Sequence, residues 1–230
     1  MLAPADAPGD TFTLYGPHPS ASQTEAFVKG LYQATLQREG SPSEVHAYAA
    51  LLDSGALSRP QAAQAFVNSP EHRGNQVRSF YHYFLGREPS QAEVDFYVKA
   101  LQSGVGEAQI LANFALSPEH AGLSDDPQFV QTVFVAALGR SASQAEADFY
   151  VGALGSGQTT RGQVVANLLH SPEAIDRVVK SDYMAYLGRE ADDAGLAAWR
   201  ARVQARATFG SVAVGLLGSQ EFFDHAGQNL

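Results

Sequence analysis

Apolar residues recur at four-residue steps along several stretches of this chain, and each stretch ends in a similar short motif. In one of them the apolar positions are Val77, Tyr81 and Leu85, followed by Gly86 and Arg87. Steps of four residues place side chains on one face of an α-helix. Glycine adopts the left-handed conformation that closes a helix without strain. The pattern therefore predicts an amphipathic helix that ends at Leu-Gly-Arg.

This pattern occurs four times, with Gln37 in place of the glycine in the first copy, and its arginines are 49, 53 and 49 residues apart. The four arginines are Arg38, Arg87, Arg140 and Arg189. A second short motif, Ser-Pro-Glu in three copies and Ser-Gln-Glu in the fourth, begins 30 or 31 residues after each arginine. A period of this size is typical of tandem supersecondary units that stack on one another.

Each copy contains signals for two further helices. A good N-cap residue stands three positions after each arginine: Ser41, Ser90, Ser143 and Asp192. In the first three copies a glutamate follows at the distance of a capping box, whereas the fourth copy has Gly195 there. A third apolar stretch follows, and Ser-Pro-Glu then begins the next helix. The sequence predicts an all-α fold of four tandem repeats, each of about three helices.

Differences in spacing predict how the repeats are grouped. Residues 1–22 are rich in Pro, Gly, Ala and Ser and are expected to be a linker or tail, as at the start of a piece of a longer protein. The interval from Glu119 to Arg140 is 21 residues, but the corresponding interval is 16 residues at the other two junctions. We therefore expect two lobes of two repeats each, residues 23–123 and 124–230, which meet near residues 122–127.

Composition excludes several classes of function. Lys and Arg number 15 against 24 Asp and Glu, and the formal net charge of −9 argues against a nucleic-acid partner. The chain has no cysteine, which excludes disulfides and cysteine nucleophiles. No apolar run approaches the roughly 18 residues of a membrane span.

The arginine of each repeat has two interpretations. It is either a contact for a ligand or anion, or a partner for the carboxylate of the Ser-Pro-Glu motif, which also recurs in every copy. The second interpretation predicts one repeated geometry. Its four pairs are Arg38 with Glu71, Arg87 with Glu119, Arg140 with Glu173, and Arg189 with Glu221.

The order and spacing of these motifs resemble those of the bacterial domain of unknown function 4214 family, with residues 183–199 as the nearest stretch. The layout is also distantly similar to that of phycobilisome linker domains. The resemblance covers residues 24–226. It implies a helical module in secreted or surface-layer bacterial proteins, and it implies no catalytic residues.

Candidate chemistry outside the repeated positions is sparse. The seven histidines form no metal-binding spacing, and the paired aspartates near Asp125 and Asp192 do not follow a calcium-loop pattern. We therefore expect no cofactor, although calcium stays an alternative. Residues that differ between copies are candidates for a binding surface: Tyr83, Phe84, Tyr186, Asp125 and Asp192.

The sequence thus favours a non-catalytic helical repeat module of an exported or surface-associated bacterial protein. Its expected role is assembly, anchoring or adhesion, through a protein or a cell-surface glycan. A glycan- or calcium-assisted binding module is the alternative, and a hydrolase is the third possibility.

Overall fold

The structure, a computed structural model, describes residues 21–121, 125–205 and 208–226. These residues are helical or form short connections, and they contain no β-strand. The predicted all-α fold is confirmed. Residues 1–20 of the predicted linker lie outside the described residues, and the first helix already begins at Ala21.

The helices follow the predicted repeats. In chain order they are α1 (Ala21–Leu31), α2 (Pro42–Asp53), α3 (Arg59–Val67), α4 (Pro70–Phe80), α5 (Gln91–Gln102), α6 (Glu107–Ala115), α7 (Pro118–Ala121), α8 (Asp126–Leu138), α9 (Gln144–Gly155), α10 (Arg161–Leu169), α11 (Pro172–Asp182), α12 (Asp193–Gln204), α13 (Phe209–Leu217) and α14 (Gln220–His225). None of these helices has the length and hydrophobicity that crossing a bilayer requires.

In three of the four repeats the first helix ends in a turn of π-helix. These five-residue turns, Tyr32–Leu36, Tyr81–Leu85 and Tyr183–Leu187, continue α1, α4 and α11. In the third repeat α8 stays α-helical as far as Leu138. Apolar steps of four residues do not distinguish the two geometries, so the π turns could not be predicted from the pattern.

The predicted helix ends and caps are present. Gly86, Gly139 and Gly188 adopt the left-handed conformation at the helix C-termini, with φ between 62° and 71°. Gln37 occupies the same position in the first repeat and also has a positive φ, of 56°. The three predicted capping boxes are formed, with the backbone N–H of Ser90, for example, donating to Glu93 at 2.7 Å.

The repeats pair in an order that the sequence did not predict. One compact unit, here called the first unit, combines the described residues up to His72 with those from Val179 onward, and it contains repeats one and four. The second unit is Arg73–Val178 and contains repeats two and three. Each unit therefore has two repeats, as expected, but the division into 23–123 and 124–230 does not describe them.

Packing between third helices explains this pairing. In the first unit α3 packs against α13, and α14 packs against α1. The ring of Phe27 on α1 lies 5.8 Å from Phe222 and 5.5 Å from Phe223, both on α14. In the second unit α6 packs against α10. Since all four third helices are apolar, their sequences do not specify which of them associate.

Candidate functional site

In each of the first three repeats a guanidinium joins two helix N-termini. The arginine of each repeat and its glutamate partners are here called the hub. In the second repeat Arg87 donates from Nε and Nη2 to Glu119, at 2.6 and 3.0 Å. It donates from Nη1 and Nη2 to the capping-box Glu93, at 3.2 and 2.7 Å, and from Nη1 to the carbonyl oxygen of Glu88 at 3.2 Å. The guanidinium also lies over the ring of Tyr81, 4.7 Å from its centroid.

The four predicted arginine–glutamate pairs are all formed. The corresponding distances from arginine Nε are 2.6 Å for Arg38–Glu71, 2.6 Å for Arg87–Glu119 and 2.5 Å for Arg140–Glu173, and Arg189 donates to Glu221 in the same way. In the first three repeats the five N–H donors of each arginine meet five acceptors. These arginines therefore have no donor left for a ligand, and the structural interpretation holds.

The fourth repeat departs from this geometry for a steric reason. A Cβ on Gly195, which replaces the capping-box glutamate, would lie 2.5 Å from the hydroxyl oxygen of Tyr183. The tyrosine thus occupies the space that the glutamate uses elsewhere. The fourth repeat also has Gln220 in place of proline. The side chain of Gln220 accepts a hydrogen bond from Arg59 at 2.8 Å.

Hydrogen bonds lower the pKa values of the three capping-box glutamates. Hydrogen bonds from Ser41 and then Arg38 lower the pKa of Glu44 to about 2. Hydrogen bonds from Arg140 and then Ser143 lower the pKa of Glu146 to about 2. In the second repeat the hydrogen bond from Arg87 holds the pKa of Glu93 well below its usual value. These groups stay ionised at neutral pH, which suits a structural role.

The aromatic candidates for a binding surface, which differ between copies, are not all exposed. Tyr83 is exposed, and its hydroxyl donates to the carbonyl oxygen of Thr132 at 3.2 Å. Tyr186 is half-buried. The prediction that Phe84 is exposed is wrong, because only 5% of it is accessible and its ring stacks on Phe114 at 6.1 Å. Phe84 follows Tyr81 by three residues, so it lies on the apolar face of the helix.

Both acidic candidates act as helix caps. Asp125 accepts from the backbone N–H of Gln128 at 2.9 Å, and Asp192 accepts from that of Gly195 at 2.6 Å. Across the described residues, no three His, Asp or Glu side chains are grouped so that they could hold a metal ion. The two aspartates therefore belong to their helix N-termini in the structure.

Sequence reasoning missed two exposed aromatic residues. Phe96 on α5 and Phe149 on α9 are 67% and 68% exposed. They occupy the same position in their repeats, nine residues after the arginine, where repeats one and four have Ala47 and Ala198. A position-by-position comparison of the copies would have found this difference. Both phenylalanines belong to the second unit.

Phe149 also forms one wall of an open groove in the third repeat. The groove has a volume of about 370 Å³. It is lined by Phe134, Leu138, Ala145, Glu146, Phe149, Tyr150, Leu168, Ser171 and Glu173. The lining is mainly apolar, and the hub carboxylates of Glu146 and Glu173 supply its polar edge.

Comparisons with known proteins agree with the repeat architecture. No curated protein and no solved structure matched the chain. The family described as a domain of unknown function (DUF4214) matches three successive segments, residues 14–76, 72–124 and 121–178. These segments correspond to the first three repeats, and residues 179–226 show the same helix order and arginine–glutamate pair. The chain therefore belongs to the DUF4214 family, as a tandem repeat protein.

Proposed function

We propose that this protein is a non-catalytic helical repeat module that binds other proteins and acts in assembly, anchoring or adhesion. We extend the proposal to an exported or surface-associated parent protein, which rests on the family resemblance alone. The repeated residues support the non-catalytic part, because they serve as apolar stripe, helix end, cap or ion pair. A binding surface must then come from residues that differ between copies.

One observation carries the protein-binding part: Phe96 and Phe149 are exposed at equivalent positions of the second unit. Single exposed apolar residues are common on protein surfaces. Here, however, both repeats of one unit carry a phenylalanine where both repeats of the other unit carry alanine. Aromatic residues are enriched in protein interfaces and often supply much of the binding energy. The second unit is therefore the proposed interaction surface.

The same observation favours a protein over a glycan. Phenylalanine has no hydroxyl or N–H with which to select a sugar, and the hydroxyl of Tyr83 already donates to Thr132 within the second unit. Calcium has no specific support either, because Asp125 and Asp192 accept hydrogen bonds as caps. The glycan- and calcium-assisted alternatives thus rest on no particular contact.

Site-specific photocrosslinking in the native cells would test the proposal. A photoreactive phenylalanine is placed at Phe96 or Phe149, and at Ala47 or Ala198 as matched controls. We expect a crosslinked protein from the first two positions only. The crosslinked protein is then purified and its affinity for the wild-type chain is compared with that for the Phe96→Ala/Phe149→Ala variant.

We expect the double variant to bind this partner at least about tenfold more weakly, which is the loss of a typical aromatic hot spot. Circular dichroism and the thermal midpoint should be unchanged, because both side chains are largely exposed. Equal affinity of the folded double variant, or crosslinks from all four positions alike, would contradict the proposal. Turnover abolished by one substitution that leaves stability unchanged would also contradict it.

A further inference from the structure

The groove in the third repeat exists because of one side chain on the third helix. Three residues before the Ser-Pro-Glu serine, repeats one and two have Phe66 and Phe114, whereas repeat three has Leu168. The Phe114 ring lies 4.8 Å from Tyr81 and 4.8 Å from Tyr97, so it fills the space between the first and second helices. Leu168 is smaller than a phenylalanine and leaves that space open.

The first repeat fills the same space in the same way. The Phe66 ring lies 4.7 Å from Tyr32 and 5.0 Å from Tyr48. In the fourth repeat the corresponding residue is Leu216, but the second helix carries Trp199 in place of tyrosine. The indole lies against Gly215, where any Cβ would overlap with it. The other three repeats thus place an aromatic ring where repeat three has a groove.

The walls of the groove determine which chemistry it accepts. Its floor is apolar, with Phe134, Leu138 and Leu168 all at least nine-tenths buried. The largely exposed ring of Phe149 lies beside this floor. It packs edge-to-face on Tyr150, with the ring centroids 5.2 Å apart. Such a site is suited to one large apolar side chain. Its volume of about 370 Å³ is near the lower end of the range for ligand pockets, which begins at about 300 Å³.

The edge of the groove is acidic. The described residues that line it carry two carboxylates, those of Glu146 and Glu173, and no cationic group. Arg140 donates to both carboxylates, so one positive charge faces two negative charges. The formal charge of the whole chain is −9. This charge distribution favours a cationic partner.

We propose that the groove binds a peptide segment of a partner protein in which a large apolar side chain is flanked by Lys or Arg. The apolar side chain would lie on Leu168 between Phe149 and Tyr150, in the space that Phe114 fills in repeat two. The flanking cations would lie near Glu146 and Glu173. Glu173 accepts two hydrogen bonds, both from Arg140, so its oxygens can accept more. This inference rests on the proposed function and adds the chemical class of the partner.

Titration of the isotope-labelled full chain with short capped peptides tests the inference directly. The probes are Lys-Phe-Lys, Glu-Phe-Glu and Lys-Ala-Lys, and the readout is the NMR signal of the Leu138 methyl groups, which line the groove and are present in every variant. We expect Lys-Phe-Lys to cause a saturable shift of this signal, with a dissociation constant below about 10 mM. Glu-Phe-Glu should bind at least about tenfold more weakly because of charge repulsion, and Lys-Ala-Lys should cause no saturable shift.

Variants connect the shift to the groove. Leu168→Phe should abolish peptide binding by filling the space as in repeat two, and Phe149→Ala should weaken it by about tenfold through loss of one wall. Leu51→Ala is the control, because it removes an exposed apolar side chain from the second helix of repeat one, whose space Phe66 already fills. Its dissociation constant should stay within about twofold of that of the wild type.

Several results would overturn the inference. These are the absence of a saturable shift with Lys-Phe-Lys, equal affinity for Glu-Phe-Glu, or equal losses for Leu51→Ala and Phe149→Ala. If the crosslinked partner still needed Phe96 and Phe149 after such a result, the proposed function would stand and only the peptide chemistry would be wrong. If the partner bound the double variant normally, the proposed function itself would fail.

Discussion

Arg73 and Glu107 form an ion pair in the interior of the second unit, where 9% and 16% of their side chains are exposed. Arg73 lies on α4 and also donates to Gln76 at 2.8 Å, and Glu107 is in the first turn of α6. The four hub pairs are different, because 33–41% of their arginine side chains is exposed. The most buried of these ion pairs is thus one that does not recur between copies.

Arg73→Ala should destabilise the protein by about 3–5 kcal/mol, because it leaves the Glu107 carboxylate buried without its cation. The double substitution Arg73→Met/Glu107→Leu should cost much less than the single one, since it removes both buried charges. Urea unfolding of the three proteins measures the difference. A loss below about 1 kcal/mol for Arg73→Ala would show that water reaches Glu107 in place of the guanidinium.

Arg87→Ala should be milder than Arg73→Ala, although Arg87 makes more hydrogen bonds. Its carboxylate partners Glu93 and Glu119 remain partly exposed, so water can replace the guanidinium. Urea unfolding of both variants compares their losses of stability. If Arg87→Ala were the more damaging change, the hub would contribute more to the fold than its exposure indicates.

Gln37→Gly should stabilise the protein by about 0.5–1 kcal/mol, because Gln37 has a left-handed backbone that favours glycine. The matched control is Gly86→Ala, at the equivalent position of repeat two. No atom lies within 4 Å of a Cβ added to Gly86, so its expected loss of roughly 1 kcal/mol is conformational. Thermal and urea midpoints should move in opposite directions for the two variants, and a shift in the same direction would contradict the prediction.

Stability should decrease as the pH falls from about 4.5 towards 2, partly because the capping-box glutamates lose their charge. The pKa values of Glu44 and Glu146 fall from 4.5 to about 2 on folding, and that of Glu93 also falls. A carboxyl group with a lower pKa in the folded state stabilises the protein above its unfolded pKa. That contribution is lost as the pH falls through the folded pKa.

The triple variant Glu44→Gln/Glu93→Gln/Glu146→Gln is the control for this pH dependence. It should be less stable than the wild type at pH 7 and should approach it in stability at low pH. Urea midpoints measured at successive pH values give both curves. Parallel curves would mean that these three carboxyl groups do not cause the acid sensitivity.

Repetition made the local structure predictable from the sequence. The helix ends, the capping boxes and the arginine–glutamate pairs each occur in several copies, so the spacing of one copy supports that of the next. Each of these features depends on residues close in sequence or on one fixed interval. Features found in a single copy gave no such signal, and Arg73 is one of them.

The pairing of the repeats and the groove depend on packing that the pattern does not encode. Every third helix is apolar, so the association of α3 with α13 depends on how well their side chains fit together. Gly218, for example, follows α13 and has no space for a side chain, because a Cβ would lie 2.9 Å from Cα of Pro60. In the sequence, a glycine at that position indicates only a helix end, so its role in packing could not be predicted.

Cleavage between Ala121 and Asp125 should leave the two halves of the chain associated. Each unit takes one repeat from either side of this point, through α3 and α13 in the first unit and through α6 and α10 in the second. A specific protease site introduced there tests this. After cutting, we expect both fragments to elute together in size-exclusion chromatography at the position of the intact protein, because each fragment alone would expose the apolar faces of its third helices.

The urea concentration that separates the cut fragments should depend on the contact between α3 and α13. Gly218→Val should lower it, because the new side chain must displace Pro60. Gly152→Ala is the matched control, since a Cβ on Gly152 meets no atom within 4 Å and α9 gains a better helix former. Two folded halves that elute separately without urea would instead support a division near residue 124, because each half would then have to bury its own third helices.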